Sequence, residues 1–197
     1  MKKIILILST VFALGLYSCS DSFLVVESKS SILESDYYKS ADRLYSGLVA
    51  AYDPLQWFDY FYQYNSLNMV SDIMADDIYC GGSNEGDQPI LVKTHYYTAT
   101  PTDVPNMIWT TAYSGINRSN IVIAKAPDIE MDESLKALYV AEAKVLKAYY
   151  YNLLWKFWGN IPYYDENLSF PYICDQMQAD QVYQSVITIM EEALAAN

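Results

Sequence analysis

A mainly α-helical fold is predicted from three observations. Apolar residues recur at three- and four-residue spacing in several segments between residue 40 and residue 197, the pattern of helices that bury one face. Prolines and glycines fall where those patterns stop: Pro54, Pro127, Gly159 and Pro162. Between Asp76 and Pro105 the periodicity fails, and Gly81, Gly82, Gly86, Pro89 and Pro101 punctuate a loop-rich insertion. Within it, Ile90 to Tyr97 is compatible with a short strand.

Taken in order, Ser40 can cap a helix in which Leu44, Tyr45, Leu48 and Tyr52 recur until Pro54 stops it. Trp57 to Tyr64 then packs six aromatics into eight positions, which either fill a core or line a sugar site, the core being the commoner fate of so much aromatic area. Residues 65–75 are predicted to form another helix. Trp109, Tyr113, Ile116, Asn120 and Ile123 share one face of the next. After Pro127, Asp132 or Ser134 is a cap for a long helix, giving a helical hairpin.

On that long helix Leu138, Tyr139, Val145, Leu146, Tyr149, Tyr150, Leu153 and Phe157 fall in one arc that also holds Glu142. An acid on an apolar face must find a partner, because an unpaired buried carboxylate would cost several kcal/mol. Glu142 is therefore expected to accept a hydrogen bond from Asn117, Asn120 or a nearby tyrosine. The helix should end near Trp158, with Gly159 supplying the terminal turn and Pro162 barring its resumption. An irregular span to about Gln178 leads to a final amphipathic helix carrying Val182, Ser185, Val186, Ile189, Met190, Ala193 and Leu194.

The first residues have another logic. Met1-Lys2-Lys3 is a positive start, Ile4 to Leu14 an apolar core too short to cross a bilayer, and Ser18-Cys19 a small residue before cysteine. Residues 1–18 read as a lipoprotein signal peptide, with cleavage before a lipidated Cys19. Tyr17 is bulky for its position, and the alternative is a non-lipidated secreted form with Cys19 an ordinary thiol. Serine-rich, acidic residues 19–35 read as a tether, in which Phe23-Leu24 offers the body two apolar side chains, and residues 36–197 as the folded domain.

The full chain has a formal charge of −12; without Lys2 and Lys3 it reaches −14. No basic cluster offsets this, which argues against a nucleic-acid partner. Besides Cys19 there are only Cys80 and Cys174, and His95 is the sole histidine, so neither a disulfide scaffold nor a zinc site is indicated. Asp72, Asp76, Asp77, Glu85 and Asp87 crowd the loop, but solvated loop charges are commoner than a catalytic pair, and calcium-loop spacing is lacking. No enzyme, cofactor or metal is expected. Sugar binding needs a flat aromatic face with amide or carboxylate groups beside it, and Tyr79 and Asn84 provide both locally. Turn formation by Gly81-Gly82-Ser83-Asn84 explains the same residues equally well.

Glu142-Ala143-Lys144, Lys147-Ala148-Tyr149-Tyr150-Tyr151 and Gly159-Asn160-Ile161-Pro162 together resemble the SusD/RagB family of outer-membrane lipoproteins. Trp109-x3-Tyr113-x2-Ile116-Asn117-x2-Asn120 resembles the helix that precedes this block in the family. The resemblance implies tetratricopeptide-like helical hairpins, with Glu142, Asn117 and Asn120 in a structural polar core. It implies a non-catalytic, lipid-anchored nutrient-binding protein of the outer membrane, facing the cell surface, that captures oligosaccharide for a SusC-like TonB-dependent transporter. Peptide cargo is the variant within the family; a helical-repeat scaffold binding envelope proteins is the alternative outside it. The family's ligand loop carries over to Tyr79 and Asn84, with Asp77 beside them and Tyr79 in place of a tryptophan. Family members are longer, so residues 36–197 correspond to an N-terminal helical domain that looks truncated.

Overall fold

The computed structural model describes residues 34–59 and 66–196. The signal peptide, Cys19, Phe23-Leu24 and Tyr60 to Tyr64 lie outside the described residues. The chain divides into two units, Met1–Tyr37 and Tyr38–Asn197. Of the first, one helical turn, Glu34–Tyr37, is described.

Among the described residues the second unit holds six α-helices: α1 (Ala41–Tyr52), α2 (Leu67–Met74), α3 (Pro89–His95), α4 (Asn106–Lys125), α5 (Glu133–Trp158) and α6 (Ala179–Ala195). The strands β1 (Ile161–Pro162) and β2 (Gln176–Met177) form an antiparallel pair between α5 and α6, with Ile161 opposite Met177 and Pro162 opposite Gln176. Helix α5 is central: α4 lies along one side and α6 along another, while α1 rests on both α4 and α5. Helices α2 and α3 pack on each other at the side.

Local chemistry sets the boundaries. Ser40 Oγ accepts from the Arg43 N–H and starts α1. Pro54 lies in a 3-10 turn, Asp53–Asp59, that continues from α1. Ser66 Oγ accepts from the Met69 N–H at 3.3 Å, and Asp132 Oδ1 from the Leu135 N–H at 2.9 Å, capping α2 and α5. Gly159, at φ +68°, closes α5 after Trp158, a backbone conformation that favours glycine. Helix α6 lacks a local side-chain cap; Asn160 Oδ1 accepts from the Ala179 N–H at 2.9 Å instead.

Two expectations need correction. Residues 89–95 form helix α3 and not a strand. Pro89 suits the first helical turn, where its missing N–H costs nothing, and Leu91 and Thr94 turn inward three residues apart, Thr94 Oγ1 bonding back to the Ile90 carbonyl at 2.7 Å. The second concerns the arc read on α5. Leu146, Tyr150 and Leu153 are buried, but Leu138, Val145 and Tyr149 are exposed. Neighbours on several sides bury Ala141, Ala143, Ala148, Tyr151 and Leu154 as well, small alanines allowing close approach. Likewise Leu44, Leu48 and Ala51 of α1 face inward while Tyr45 and Tyr52 stay exposed.

The closest approach is at Gly115 on α4. A Cβ there would sit 2.2 Å from the ring of Tyr150, so the absence of a side chain lets that ring lie flat between helices. The Tyr150 hydroxyl then donates to the Ala51 carbonyl at 2.7 Å, tying α5 to the last turn of α1. Two further tyrosines fasten the segment after α5: Tyr113 donates to the Pro162 carbonyl at 2.7 Å, and Tyr151 to the Tyr164 carbonyl at 2.8 Å. Burial holds all three hydroxyls protonated well above the usual tyrosine range.

Candidate functional site

Tyr79 follows α2 in the loop and is 69% exposed. The packing of α3 on α2 brings His95 beneath it, the rings meeting edge to face at 5.5 Å, and His95 in turn contacts Tyr96 at 4.8 Å. The His95 ring is fixed through Nδ1, 3.0 Å from the Ile73 carbonyl oxygen. The neighbouring Tyr79 phenol is the main reason the Tyr96 hydroxyl is held above its ordinary range. Tyr97 donates to the Met74 carbonyl and anchors the end of α3. The outcome is a braced aromatic platform, Tyr79–His95–Tyr96, with ring surface left to solvent.

The other two loop residues behave differently. Asn84 is engaged inside its own turn: Oδ1 accepts from the Gly86 N–H at 2.8 Å and Nδ2 lies 3.3 Å from Ser83 Oγ. Asp87 closes the same turn by accepting from the Ser83 N–H at 3.2 Å. Asp77 is exposed, and no hydrogen bond joins it or Asn84 to Tyr79 among the described residues. His95 and Tyr96 were not singled out as binding residues by their sequence. A lone histidine next to two tyrosines at a helix end was the available signal, but their meeting with Tyr79 depends on how α2 and α3 pack.

The remaining polar residues fall into two groups. Glu142 is half-buried and accepts from the Tyr52 hydroxyl at 2.9 Å, joining α5 to α1. Asn117 and Asn120 lie elsewhere: Asn167, in the segment after β1, donates to the Asn117 carbonyl at 3.0 Å and accepts from Asn120 Nδ2 at 3.2 Å. Sequence reasoning overlooked two cations. Arg118 donates to the Ala50 carbonyl at 2.7 Å and to Asp53 at 3.0 Å, and lies 4.8 Å over the Trp57 ring, clamping the α1 terminus to α4. Lys147 is almost wholly buried, its ammonium donating to the Asp165 carbonyl at 2.8 Å. Cys80 and Cys174 are free thiols. Among the described residues no cluster of His, Cys, Asp and Glu is arranged to hold a metal ion.

A family model described as SusD-like, "Starch-binding associating with outer membrane", matches residues 22–196. The chain belongs to the SusD-like family. A SusD-like protein from Formosa agariphila is 27% identical over 196 residues, covering 98% of this chain and 37% of its own. Surface glycan-binding protein A from Bacteroides thetaiotaomicron, solved in complex with laminarihexaose, is 38% identical with a TM-score of 0.73, covering 81% of this chain and 33% of that one. A laminarin-binding SusD-like protein is 32% identical with a TM-score of 0.70, covering 81% and 34%. The chain thus spans about a third of the length of these relatives. SusD-like glycan-binding proteins are non-catalytic, and the family is associated with the outer membrane. The mainly helical, tetratricopeptide-like architecture is theirs as well.

Proposed function

We propose that this SusD-like chain is a non-catalytic, lipid-anchored outer-membrane protein that binds neutral oligosaccharide at the cell surface. Its partner is a SusC-like TonB-dependent transporter, to which it passes that cargo for import. The observation that carries the ligand class is the exposed, braced Tyr79–His95–Tyr96 platform. A pyranose ring presents C–H groups to such a face, and phenol hydroxyls at its edge meet the sugar's own hydroxyls. Relatives with the same helical scaffold carry laminarihexaose or laminarin in their names, which makes a β-glucan the first ligand to try. The signal-like residues 1–18 and Cys19 support the anchor. The fixed positions of Asn84 and Asp87 within one turn support a structural role for that turn, with Tyr79 as the contact.

Calorimetric titration of the full chain with laminarihexaose tests this. Tyr79→Ala and Tyr96→Ala, each deleting an exposed ring, should weaken binding about three- to tenfold, since ~1.4 kcal/mol corresponds to a factor of ten. No heat from the unmodified chain would defeat the carbohydrate reading. Full affinity in both variants would remove the platform from it.

A further inference from the structure

We infer that a second carbohydrate-binding subsite exists at the corner formed by Trp109 and Trp158, separate from the Tyr79 platform. The choice of ligand class rests on the carbohydrate reading above; the site itself rests on its own geometry. A cleft of about 850 Å³ opens between the 99–104 loop, the first turns of α4, the end of α5 and β2. That is within the usual size range of small-ligand pockets. Its two aromatic walls are the indoles of Trp109 and Trp158, 5.1 Å apart and nearly perpendicular. Around them stand Thr100, Asn106, Asn160 and Gln176.

Three properties of this corner select a neutral polyhydroxyl ligand. First, no charged side chain lines it among the described residues, although the chain carries 24 acids, and Asp103, in the loop that forms one wall, pairs with Lys93 at 2.7 Å. An ionic ligand would find no countercharge there, whereas a hexose loses nothing by that lack. Second, primary amides dominate its polar lining. Asn106 and Gln176 are exposed, and neither side chain makes a hydrogen bond to another described residue; Asn160 uses its oxygen on the Ala179 N–H and keeps its NH₂. An amide offers a donor and an acceptor side by side, the pairing that neighbouring sugar hydroxyls require. Third, two indoles at right angles let one pyranose ring lie against a face while the other wall limits its tilt.

The walls are preorganised. Trp109 packs on Tyr113 at 4.9 Å, and Tyr113 is itself bonded to the Pro162 carbonyl. Trp158 is braced by Phe157 at 5.6 Å. Gly159, in its positive-φ conformation, turns the chain so that Trp158 and Asn160 both reach one cleft. The loop wall is held by Thr100 donating to Asp103 at 2.6 Å. Little ordering is left for a ligand to offset, the condition under which a shallow site gains affinity.

The test is an NMR titration of the ¹⁵N-labelled full chain with laminarihexaose, following the four indole N–H signals, assigned through single Trp→Phe variants. The signals of Trp109 and Trp158 should shift on titration, while those of Trp57 and Trp155 should not. Asn106→Ala/Gln176→Ala should reduce the affinity read from those two shifts about tenfold or more, with the melting temperature retained. Tyr79→Ala/Tyr96→Ala should leave the two shifts in place. Binding by calorimetry without a response from Trp109 and Trp158 would overturn the corner while leaving the platform standing. Indole shifts that survive Asn106→Ala/Gln176→Ala unchanged would overturn it also. Absence of any binding would reject corner and carbohydrate reading together.

Discussion

Replacing Gly115 by alanine tests the packing of α4 on α5 with a single methyl group. Its Cβ would arrive 2.2 Å from the Tyr150 ring, where about 3.5–4.0 Å is normal, so something must move by well over 1 Å. Alanine gains about 1 kcal/mol in helix propensity over glycine. Against that, overpacking costs roughly 1–3 kcal/mol. If Tyr150 is displaced, its buried hydrogen bond to the Ala51 carbonyl goes too, leaving polar atoms unpaired at about 1–3 kcal/mol. The net expectation is a loss of roughly 1–5 kcal/mol, each kcal/mol lowering Tm by about 2–4 °C in a chain of this size.

Chemical denaturation followed by circular dichroism measures this, and a double-mutant cycle isolates the cause. Tyr150→Leu alone should destabilise by losing ring and hydroxyl. In Gly115→Ala/Tyr150→Leu the new methyl meets a smaller side chain. The pair should then be more stable than the sum of single effects by at least about 1 kcal/mol. Simple additivity, or a Gly115→Ala variant as stable as the original chain, would refute the argument that a glycine-sized gap holds Tyr150 in place.

Two further predictions concern protons. Tyr113, Tyr150, Tyr151 and Tyr163 all have hydroxyls raised above the unfolded value of 10.0, chiefly by burial, so the folded chain binds more protons than the unfolded chain once pH passes about 10. Their stabilising contribution is complete below that pH and is lost above it. Tyrosinate absorbance should therefore show exposed tyrosines ionising near the ordinary value and a later group appearing only with loss of helical signal; all twenty ionising while the helices persist would contradict it. Lys147 has the opposite sign: burial lowers its pKa below 10.5, so protons are bound more by the unfolded chain and stability rises with pH up to that value. Lys147→Met should flatten that rise, and it should leave stability near neutral pH within about 1 kcal/mol or increase it, because a buried charge is removed and the partner Asp165 is largely exposed. A loss of several kcal/mol in denaturation would show the ammonium to be a net stabiliser.

Features with a local physical cause could be read from the sequence. The caps at Ser40 and Asp132 and the stop at Gly159 each depend on residues within a few positions. What escaped depends on neighbours. Ile90, Val92 and Thr94 are β-branched at alternate positions, a strand pattern, yet packing against α2 and the proline at the helix start favour a helix. The arc drawn on α5 weighted large side chains and missed that Ala141, Ala143 and Ala148 are buried against neighbours. At the candidate site Tyr79 was legible as an exposed aromatic, whereas its bracing by His95 and Tyr96 arises only from tertiary packing. Lys147 could not be told from a surface lysine without the Asp165 carbonyl that receives it.

The chain's return from the segment after α5 is fastened at adjoining points. Ile161 and Pro162 pair with Met177 and Gln176, and Asn160 holds the first N–H of α6. Tyr164, Asp165 and Asn167 are hydrogen-bonded to the helices and the Tyr163 ring packs on Tyr151, but Phe170, Tyr172 and Ile173 are exposed. The geometry of α6 is therefore set by the fastening and not by the number of residues between Asn167 and Cys174. Closing a longer loop costs only about 0.6 kcal/mol per doubling of length. That stretch is where this scaffold can absorb inserted sequence, whether by natural drift or by grafting a peptide, without altering the helices on either side.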